Sequence, residues 1–223
     1  MIEEFERPLS LVEATMKGIR SAIIGGNLSL GQILTESYLQ KSFGFSKTPI
    51  REALAQLKAE GLVVSEVHKG FRVFKMDEKE LSEFCEYRLA LESHALKNAY
   101  KNDRLELVRV LKDFIKDFKE SIKENDFNKY NLIDTKFHKS FFILSSNRYL
   151  TKNYENINGI IETIRTHTGP DIVDNYKLID SINGHISIHK HIKAKNLNLA
   201  LEELDKHINS WHDDRIIKSL LIP

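Results

Sequence analysis

The sequence predicts a mainly α-helical chain of two domains: three helices and a short β-hairpin, followed by a bundle of about six helices. Apolar residues recur at helical spacing through most of its 223 residues. Two β-rich pieces, by contrast, lie close together around a glycine-containing turn before residue 75. From Asp77 onward the pattern is helical, and the segment FKMDEKELSEF has the composition of a linker. We therefore expect a first domain over residues 1–75 and a second over residues 76–223.

The first domain is expected to begin with one long and one short helix. Residues 8–26 have the spacing of an amphipathic helix, and the segment GGNLSLG ends it. A short helix follows over roughly 35–43, with Thr35 or Glu36 near its start and Gly44 just past its end.

The third helix and the hairpin complete the pattern of a winged helix-turn-helix. The helix lies within SKTPIREALAQLKAE and ends at Gly61. Leu62–Val64 and Phe71–Phe74 then flank a turn that contains Gly70. Three helices followed by a hairpin within about 75 residues is the plan of that DNA-binding fold.

The start of the third helix is suited to entering a DNA groove. Its packed face consists of four apolar residues: Ile50, Ala53, Leu54 and Leu57. Ser46 or Thr48 can cap the helix, which leaves free backbone N–H groups facing outward for a phosphate. Lys47 and Arg51 lie beside them, and arginine can grip a phosphate or a guanine edge with two hydrogen bonds. Glu52 could accept a hydrogen bond from cytosine or orient Arg51. The alternative is an ordinary capped amphipathic helix.

Composition excludes several classes of protein. No apolar run approaches the roughly 20 residues of a membrane-spanning helix, and the acidic start MIEEFERPLS lacks the order of a signal peptide. Cys85 is the single cysteine, which excludes an intrachain disulfide framework and a cysteine-based zinc site. These features indicate a cytoplasmic protein that does not enter a membrane. The net charge of +1 permits DNA binding without arguing for it.

The second domain is expected to be entirely helical, with HTGPDIVDN as its longest loop. Its predicted helices lie near residues 78–101, 103–124, 127–146, 148–168, 179–195 and 197–218.

Four metal-ligating side chains in this domain lie where helices can bring them together. Asp134 and His138 are four residues apart, on one face of one helix. His185 and His207 are each eleven residues from the break near Asn196. If the last two helices fold back on each other, both histidines lie about 16 Å from the turn. One carboxylate and three imidazoles suit a divalent transition metal ion (Zn, Ni, Co, Mn or Fe), and open positions could take water or a ligand's carboxylate.

Alternatives remain for these histidines. Histidine is a common surface residue in a lysine- and asparagine-rich chain. His189 also weakens the uniqueness of the set, because His185 and His189 form a pair at the same helical spacing. Four others are interpreted as solvated or structural: His94, His167, His191 and His212.

The segment GNLSLGQILTESYLQKSFGFSKTPIREALAQLKAEGLVVSEVHKGFRV closely resembles the DNA-binding domain of GntR-type bacterial transcription regulators. Ser29 stands where that family usually has proline, and Lys47 where it often has arginine. The resemblance implies DNA contacts by two sets of residues: Lys47, Thr48 and Arg51 in the helix, and His68, Lys69 and Gly70 in the wing.

The rest of the chain resembles the all-helical effector-binding (FCD) domain of the FadR-like branch of that family. The segments RLALE and DTKFH, then His185 and ALEELDKH, occur in the family's order, with Leu and Glu of the first motif one residue late. Gly184 stands where the family often has glutamate, so the groups supporting His185 would differ. Members bind small carboxylates, commonly with the metal as anchor. The resemblance thus implies effector contacts by Arg88 and Arg165, for which an intradomain salt bridge is the alternative.

Together these features predict a homodimeric, ligand-responsive transcription regulator rather than an enzyme. Two recognition helices would occupy successive major grooves of a near-palindromic operator, and relief of repression by the ligand is the expected sense. A metal-dependent hydrolase is the rival from another class, although no general base accompanies the four ligands. A third reading makes the metal purely structural.

Overall fold

The computed structural model describes residues 8–66, 70–167, 175–212, 217 and 220. The chain divides into two compact units, Met1–Lys75 and Met76–Ile222. Within the described residues, no helix combines the length and the apolar character that crossing a lipid bilayer requires.

The first unit contains three helices and a three-stranded antiparallel sheet of order β1-β3-β2. Its elements are α1 (Leu11–Ile24), β1 (Ile33–Leu34), α2 (Glu36–Phe43), α3 (Lys47–Ala59), β2 (Val63–Glu66) and β3 (Gly70–Val73). The predicted helices and hairpin are confirmed, but β1 was not predicted. Two residues are too few to show a strand's alternation, and β1 is recognisable only because Ile33 and Leu34 pair with Arg72 and Phe71.

Local hydrogen bonds fix the ends of these helices. Ser10 and Glu13 form a reciprocal capping box at the start of α1. Thr35 caps α2 by accepting a hydrogen bond from the Tyr38 amide, which resolves the choice between Thr35 and Glu36. Gly44 ends α2 with a φ of 74°, a left-handed conformation that glycine adopts without steric cost.

The apolar face of α3 forms the centre of the first unit. Ile50, Ala53, Leu54 and Leu57 are fully buried, as the helical wheel predicts. Helices α1 and α2 pack against α3, and three of their apolar residues are also fully buried: Ile19, Ile23 and Leu39. Burial of this face leaves the opposite face of α3 exposed.

The described part of the second unit is helical and contains no strand. Its helices are α4 (Glu78–Lys123), α5 (Phe127–Ser145), α6 (Arg148–His167), α7 (Asn175–Lys193) and α8 (Leu197–Asn209). The backbone of α4 breaks at Asp103, whose φ and ψ are −154° and 89°. The Asp103 carboxylate accepts a hydrogen bond from the Glu106 amide at 2.9 Å and so caps a new helical segment. The two helices predicted over 78–101 and 103–124 correspond to these two segments.

Two predicted boundaries in this unit are wrong. The helix expected over 179–195 already begins at Asn175, because helical backbone extends beyond its first apolar repeat. The helix expected over 197–218 ends at Asn209, where the Trp211 and His212 amides bond to carbonyls only three residues earlier, as in a turn. Most of the predicted loop HTGPDIVDN lies outside the described residues.

Helix α4 organises the second unit, because it packs against α5, α7 and α8. Phe118 of α4 lies against Phe137 of α5, with ring centroids 6.1 Å apart, and both rings are fully buried. Phe118 also stacks on the His185 ring at 4.5 Å. The aromatic core therefore holds α5 and α7 against α4 beside His185.

Candidate metal centre

The exposed face of α3 presents the predicted DNA-contacting side chains. Lys47, Thr48 and Arg51 are exposed. Arg51 Nε donates to Glu36 Oε1 at 2.5 Å, and this hydrogen bond lowers the pKa of the Glu36 carboxyl. The carboxylate in contact with Arg51 is therefore that of Glu36, so the alternative in which Glu52 orients Arg51 is not the one observed.

The tip of the predicted wing is described only in part. Gly70 begins β3, is exposed and has a φ of 92°, and an added Cβ would lie 3.2 Å from the Leu34 carbonyl oxygen. Both features favour glycine at this position. His68 and Lys69, the other predicted wing contacts, lie outside the described residues.

In the second unit, the four predicted metal ligands meet at one point. Helix α5 supplies Asp134 and His138, α7 supplies His185 and α8 supplies His207. One candidate ligand atom from each residue lies within 4.8 Å of all the others. The Nε2 atom of His138 is 3.2 Å from that of His207 and 3.3 Å from that of His185. His185 Nε2 is in turn 3.3 Å from Asp134 Oδ1. We refer to these four residues as the ligand cluster.

The contact between His185 and His207 depends on the turn that joins α7 to α8. Lys195 adopts a φ of 64°, and Asn196 then occupies the N-cap position of α8. The two helices fold back on each other there, and the rings of His185 and His207 approach to 4.3 Å between centroids. The equal spacing of the two histidines from Asn196 thus corresponds to an actual contact.

Glu92 supports the cluster, a role that sequence reasoning did not assign. Its Oε2 lies 2.6 Å from His138 Nδ1, and both side chains are fully buried. Because the carboxylate is ionised, Nδ1–H donates to it and the Nε2 lone pair faces the other ligands. Glu92 was noted as the end of the RLALE motif, but its contact with a residue 46 positions away has no signal in a single sequence.

Burial and neighbouring charges together keep the cluster in a form suited to a cation. Burial lowers the pKa of His185 and lowers that of His207 well below its ordinary value, so both rings are neutral near pH 7. Burial alone would raise the pKa of Asp134, but the Arg165 charge and the nearby imidazoles hold it well below its usual range. Burial likewise raises the pKa of the Glu92 carboxyl, but Arg88 and His138 bring it to about 2.

The donor set fits a divalent transition metal ion. Three imidazole nitrogens and one carboxylate oxygen converge on one point. Without a cation there, their lone pairs would face one another. His138 is fixed through its second nitrogen by Glu92, as metal-bound histidines commonly are.

A cavity of about 600 Å³ opens onto the ligand cluster. Asp134 and His207 of the cluster line it together with both predicted effector residues, Arg88 and Arg165. The remaining wall is mixed in character, with aromatic, hydroxyl, amide and charged side chains. Its members include Phe127, Tyr130, Ser181, Asn183, Gly184, Lys206 and Trp211.

Both arginines lie in ion pairs and also line this cavity, so the two alternatives considered for them are compatible. Arg88 Nε donates to Glu92 Oε1 at 2.6 Å, and its guanidinium lies over the Trp211 ring at 4.7 Å. Within the described residues, Arg88 Nη2 is buried and has no hydrogen-bond partner. Arg165 contacts the Asp134 carboxylate and donates to Thr135 Oγ1 at 2.9 Å.

Three other histidines of the described residues make contacts outside the cluster. His189 bonds to the Val108 backbone of α4, so it does not replace His185 in the ligand set. His94 and His212 are exposed, and their Nδ1 atoms bond to the nearby carbonyls of Ala90 and Asn209.

One family model matches part of each unit of the chain. Residues 11–73 match the model for bacterial regulatory proteins of the gntR family, and residues 83–210 match the FCD domain. The gluconate operon transcriptional repressor of Bacillus licheniformis is 28% identical over 86% of this chain and 79% of its own length.

Two solved structures resemble the chain. McbR/YncC of E. coli superimposes with a TM-score of 0.74 over 91% of this chain and 95% of its own, at 19% identity, which supports the fold. The metal-free FCD domain of TM0439 is 27% identical and covers 65% of this chain and 96% of its own, with a TM-score of 0.52.

Proposed function

The chain belongs to the GntR family of bacterial regulatory proteins and carries an FCD domain, and from this premise we propose a homodimeric, ligand-responsive repressor with a metal-anchored effector site. Members of this family are DNA-binding transcription regulators and not enzymes, so the hydrolase alternative is set aside. The observation that carries the finer proposal is the buried ligand cluster, two of whose members reach the wall of a 600 Å³ cavity beside two arginines.

Asp134, His138, His185 and His207 would hold the metal ion. The mixture of imidazole and carboxylate donors suits Zn, Ni, Co, Mn or Fe and does not select among them. A bound divalent ion would act as a Lewis acid that attracts a carboxylate oxygen of the effector. Glu92 keeps the His138 ring oriented, and Arg165 keeps Asp134 ionised.

Arg88 is the side chain best placed to bind the effector directly. Its Nη2 is buried without a protein partner among the described residues, and it lies in the wall of the cavity. An unsatisfied buried donor is costly, and a carboxylate oxygen would satisfy it through a charge-assisted hydrogen bond. A small carboxylate is therefore the proposed effector class, and gluconate, in the name of the related repressor's operon, is itself such a molecule.

In the first unit, Lys47, Thr48 and Arg51 would contact operator DNA in the major groove. Arg51 already points outward but is held by Glu36, so DNA binding would exchange one anionic partner for another. His68, Lys69 and Gly70 are proposed to reach the adjacent groove. A homodimer would place two such heads on successive half-sites of a near-palindromic operator.

The effector would control repression by changing which arrangement of the two DNA-binding heads is favoured. It can shift DNA affinity only by as much as its own affinity differs between those arrangements. Release from DNA on effector binding is the proposed sense, and the protein would act in the cytoplasm, where operator DNA is found.

Metal analysis of the purified protein tests this proposal first. We expect close to one metal ion per chain by mass spectrometry, lost in both His185→Ala and His207→Ala. The control is His189→Ala, which changes the same helix one turn further on and should keep its metal. Absence of metal from the wild-type protein, even after reloading with each candidate ion, would contradict the metal-anchored mechanism.

Effector screening follows on the metal-loaded protein. Small carboxylates should weaken binding to operator DNA, measured by fluorescence anisotropy, and the response should be lost in Arg88→Ala. A purely structural metal predicts a different pattern, in which chelation lowers thermal stability while no carboxylate changes DNA binding.

A further inference from the structure

Gly184 lies inside α7, where the backbone does not require glycine. Its φ lies outside the left-handed region, unlike that of Gly44. A glycine within a helix lowers its stability relative to alanine, because the unfolded chain gains freedom and no side chain packs. The reason for this glycine must therefore be the space beside it.

The space beside Gly184 is filled by the imidazole of His207. A Cβ built on Gly184 would lie 3.0 Å from His207 Nδ1 and 3.6 Å from both His207 Cβ and Cγ, and these are its three nearest atoms. The first distance is about 0.4 Å short of ordinary van der Waals contact, which begins at 3.4 Å. In this chain, where the ring lies against bare backbone, a Cβ at position 184 would thus meet His207 first, and the ring or the spacing between α7 and α8 would have to change by about 0.4 Å.

His207 lacks the kind of support that His138 has. His138 is fixed by the 2.6 Å hydrogen bond between its Nδ1 and Glu92. In the part of the chain that the structure describes, no hydrogen bond reaches His207 Nδ1, which faces the bare backbone of Gly184. The His207 ring instead stacks on the His138 ring, with centroids 5.1 Å apart. The position of this imidazole is therefore set by its contacts with His138 and by packing against α7, and not by a hydrogen bond to Nδ1.

We propose that Gly184 is a positioning residue of the metal centre. Because it has no side chain, the His207 imidazole lies directly against α7, and its Nε2 reaches the other three members of the cluster. This inference rests on the proposed metal site and extends it to a residue that is not a ligand. Metal–ligand distances in a well-formed site lie within about 0.2 Å of their standard values, and a methyl group at position 184 would press on His207 by about 0.4 Å.

The test compares zinc affinity in the full-length wild-type and Gly184→Ala proteins, by competition with a chromogenic chelator. Loss of a supporting contact typically weakens metal binding about 10- to 100-fold, and we expect a loss in that range. Cobalt(II) loaded into the same proteins should give altered visible absorption bands in the variant, because the donor arrangement changes. Equal zinc affinity and identical cobalt spectra in the two proteins would overturn the proposal.

A double-mutant cycle with His207→Ala, read by the melting temperature in chelator, shows whether the effect passes through that ring. In the His207→Ala background, the methyl group added at position 184 has no imidazole to displace, so Gly184→Ala should raise the melting temperature by about 2 °C, as helix propensity predicts. A fall in melting temperature in that background would overturn the proposal.

Gly18→Ala in α1 is the matched control. It also replaces a helical glycine, but its Cβ would meet Phe43 at an ordinary 3.4 Å, in the other unit. Zinc affinity should be that of the wild type. If wild-type protein binds no zinc, the proposed function fails with this inference; if wild type and Gly184→Ala bind zinc equally, only this inference fails. Circular dichroism in chelator separates a misfolded variant from one with a displaced ligand.

Discussion

Two arginine–glutamate pairs, one in each unit, make the same contact in opposite surroundings. Arg51 Nε and Glu36 Oε1 are 2.5 Å apart, with side chains 65% and 30% exposed. Arg88 Nε and Glu92 Oε1 are 2.6 Å apart, with side chains 2% and 0% exposed. Water can replace either partner of the first pair at little cost, whereas neither partner of the second can be removed without leaving a buried charge. The first pair can therefore exchange its partners, whereas the second holds its side chains in fixed positions.

The two pairs also differ in what surrounds each arginine. Arg51 lies on a helix whose buried face is complete without it, so its charge is available to an external partner. Arg88 connects Trp211, Glu92 and, through Glu92, His138. A change at the exposed pair should alter DNA binding alone, and a change at the buried pair should alter folding, metal binding and effector binding together.

Removing the buried carboxylate should have the largest effect. Glu92→Ala leaves Arg88 without its counter-charge and His138 without its hydrogen-bond partner, and breaking a buried pair in this way costs about 3–5 kcal/mol. Urea unfolding in the presence of chelator measures this loss of unfolding free energy without a contribution from bound metal. The control is Glu83→Ala, which removes an exposed partner of Lys79 from the same helix. Equal losses in the two variants would contradict the contrast between buried and exposed pairs.

Metal removal should have the next largest effect, confined to proteins with an intact cluster. At a free metal concentration about 100 times the dissociation constant, bound metal adds about 2.7 kcal/mol to stability. Chelation should therefore lower the melting temperature of the wild-type protein but leave that of His207→Ala unchanged. A chelator effect of the same size in both would mean that the metal binds elsewhere.

Arg51→Ala should weaken operator binding about 10- to 100-fold, as loss of a base-contacting arginine commonly does. Its urea midpoint should not change, because the side chain is exposed. Lys58→Ala, in the last turn of the same helix, is the control and should keep most of the affinity. Fluorescence anisotropy at two salt concentrations measures the DNA affinity of both variants. A loss of folding stability in Arg51→Ala would contradict the contrast between the exposed pair and the buried pair.

Glu36→Gln should have the smallest effect. It removes the carboxylate that competes with DNA for Arg51, so affinity for DNA should rise on the order of threefold, with the increase greatest at low salt. Stability should be that of the wild type. Weaker binding would instead show that Glu36 holds Arg51 in the orientation that DNA requires.

What could be predicted from the sequence depends on whether a contact lies within one element or joins distant elements. The buried face of α3 and the pairing of Asp134 with His138 follow from helical period, because each lies within one element. The meeting of His185 and His207 followed from equal distances to Asn196. The first two need no knowledge of how separate helices pack, and the third needs only that α7 and α8 form a hairpin.

Contacts between distant elements gave no such signal. Glu36 and Arg51 are 15 residues apart, and Glu92 and His138 are 46 apart, on helices whose relative rotation is set by side-chain packing. Strand β1 has two residues and depends on its partner β3. The start of α7 was misplaced because apolar repeats mark the packed part of a helix and not its first turn, and the end of α8 because apolar residues continue in the sequence past Asn209.

The turn at Lys195 and Asn196 also fixes the length of the chain around it. His185 and His207 meet because equal numbers of residues separate each from Asn196. Inserting or deleting one residue between Asn196 and His207 would rotate that imidazole by about 100° around α8 and shift it by about 1.5 Å. Natural variants of this segment should therefore differ by substitution and keep their length, since a change of even one residue would separate two ligands that no side-chain replacement could rejoin.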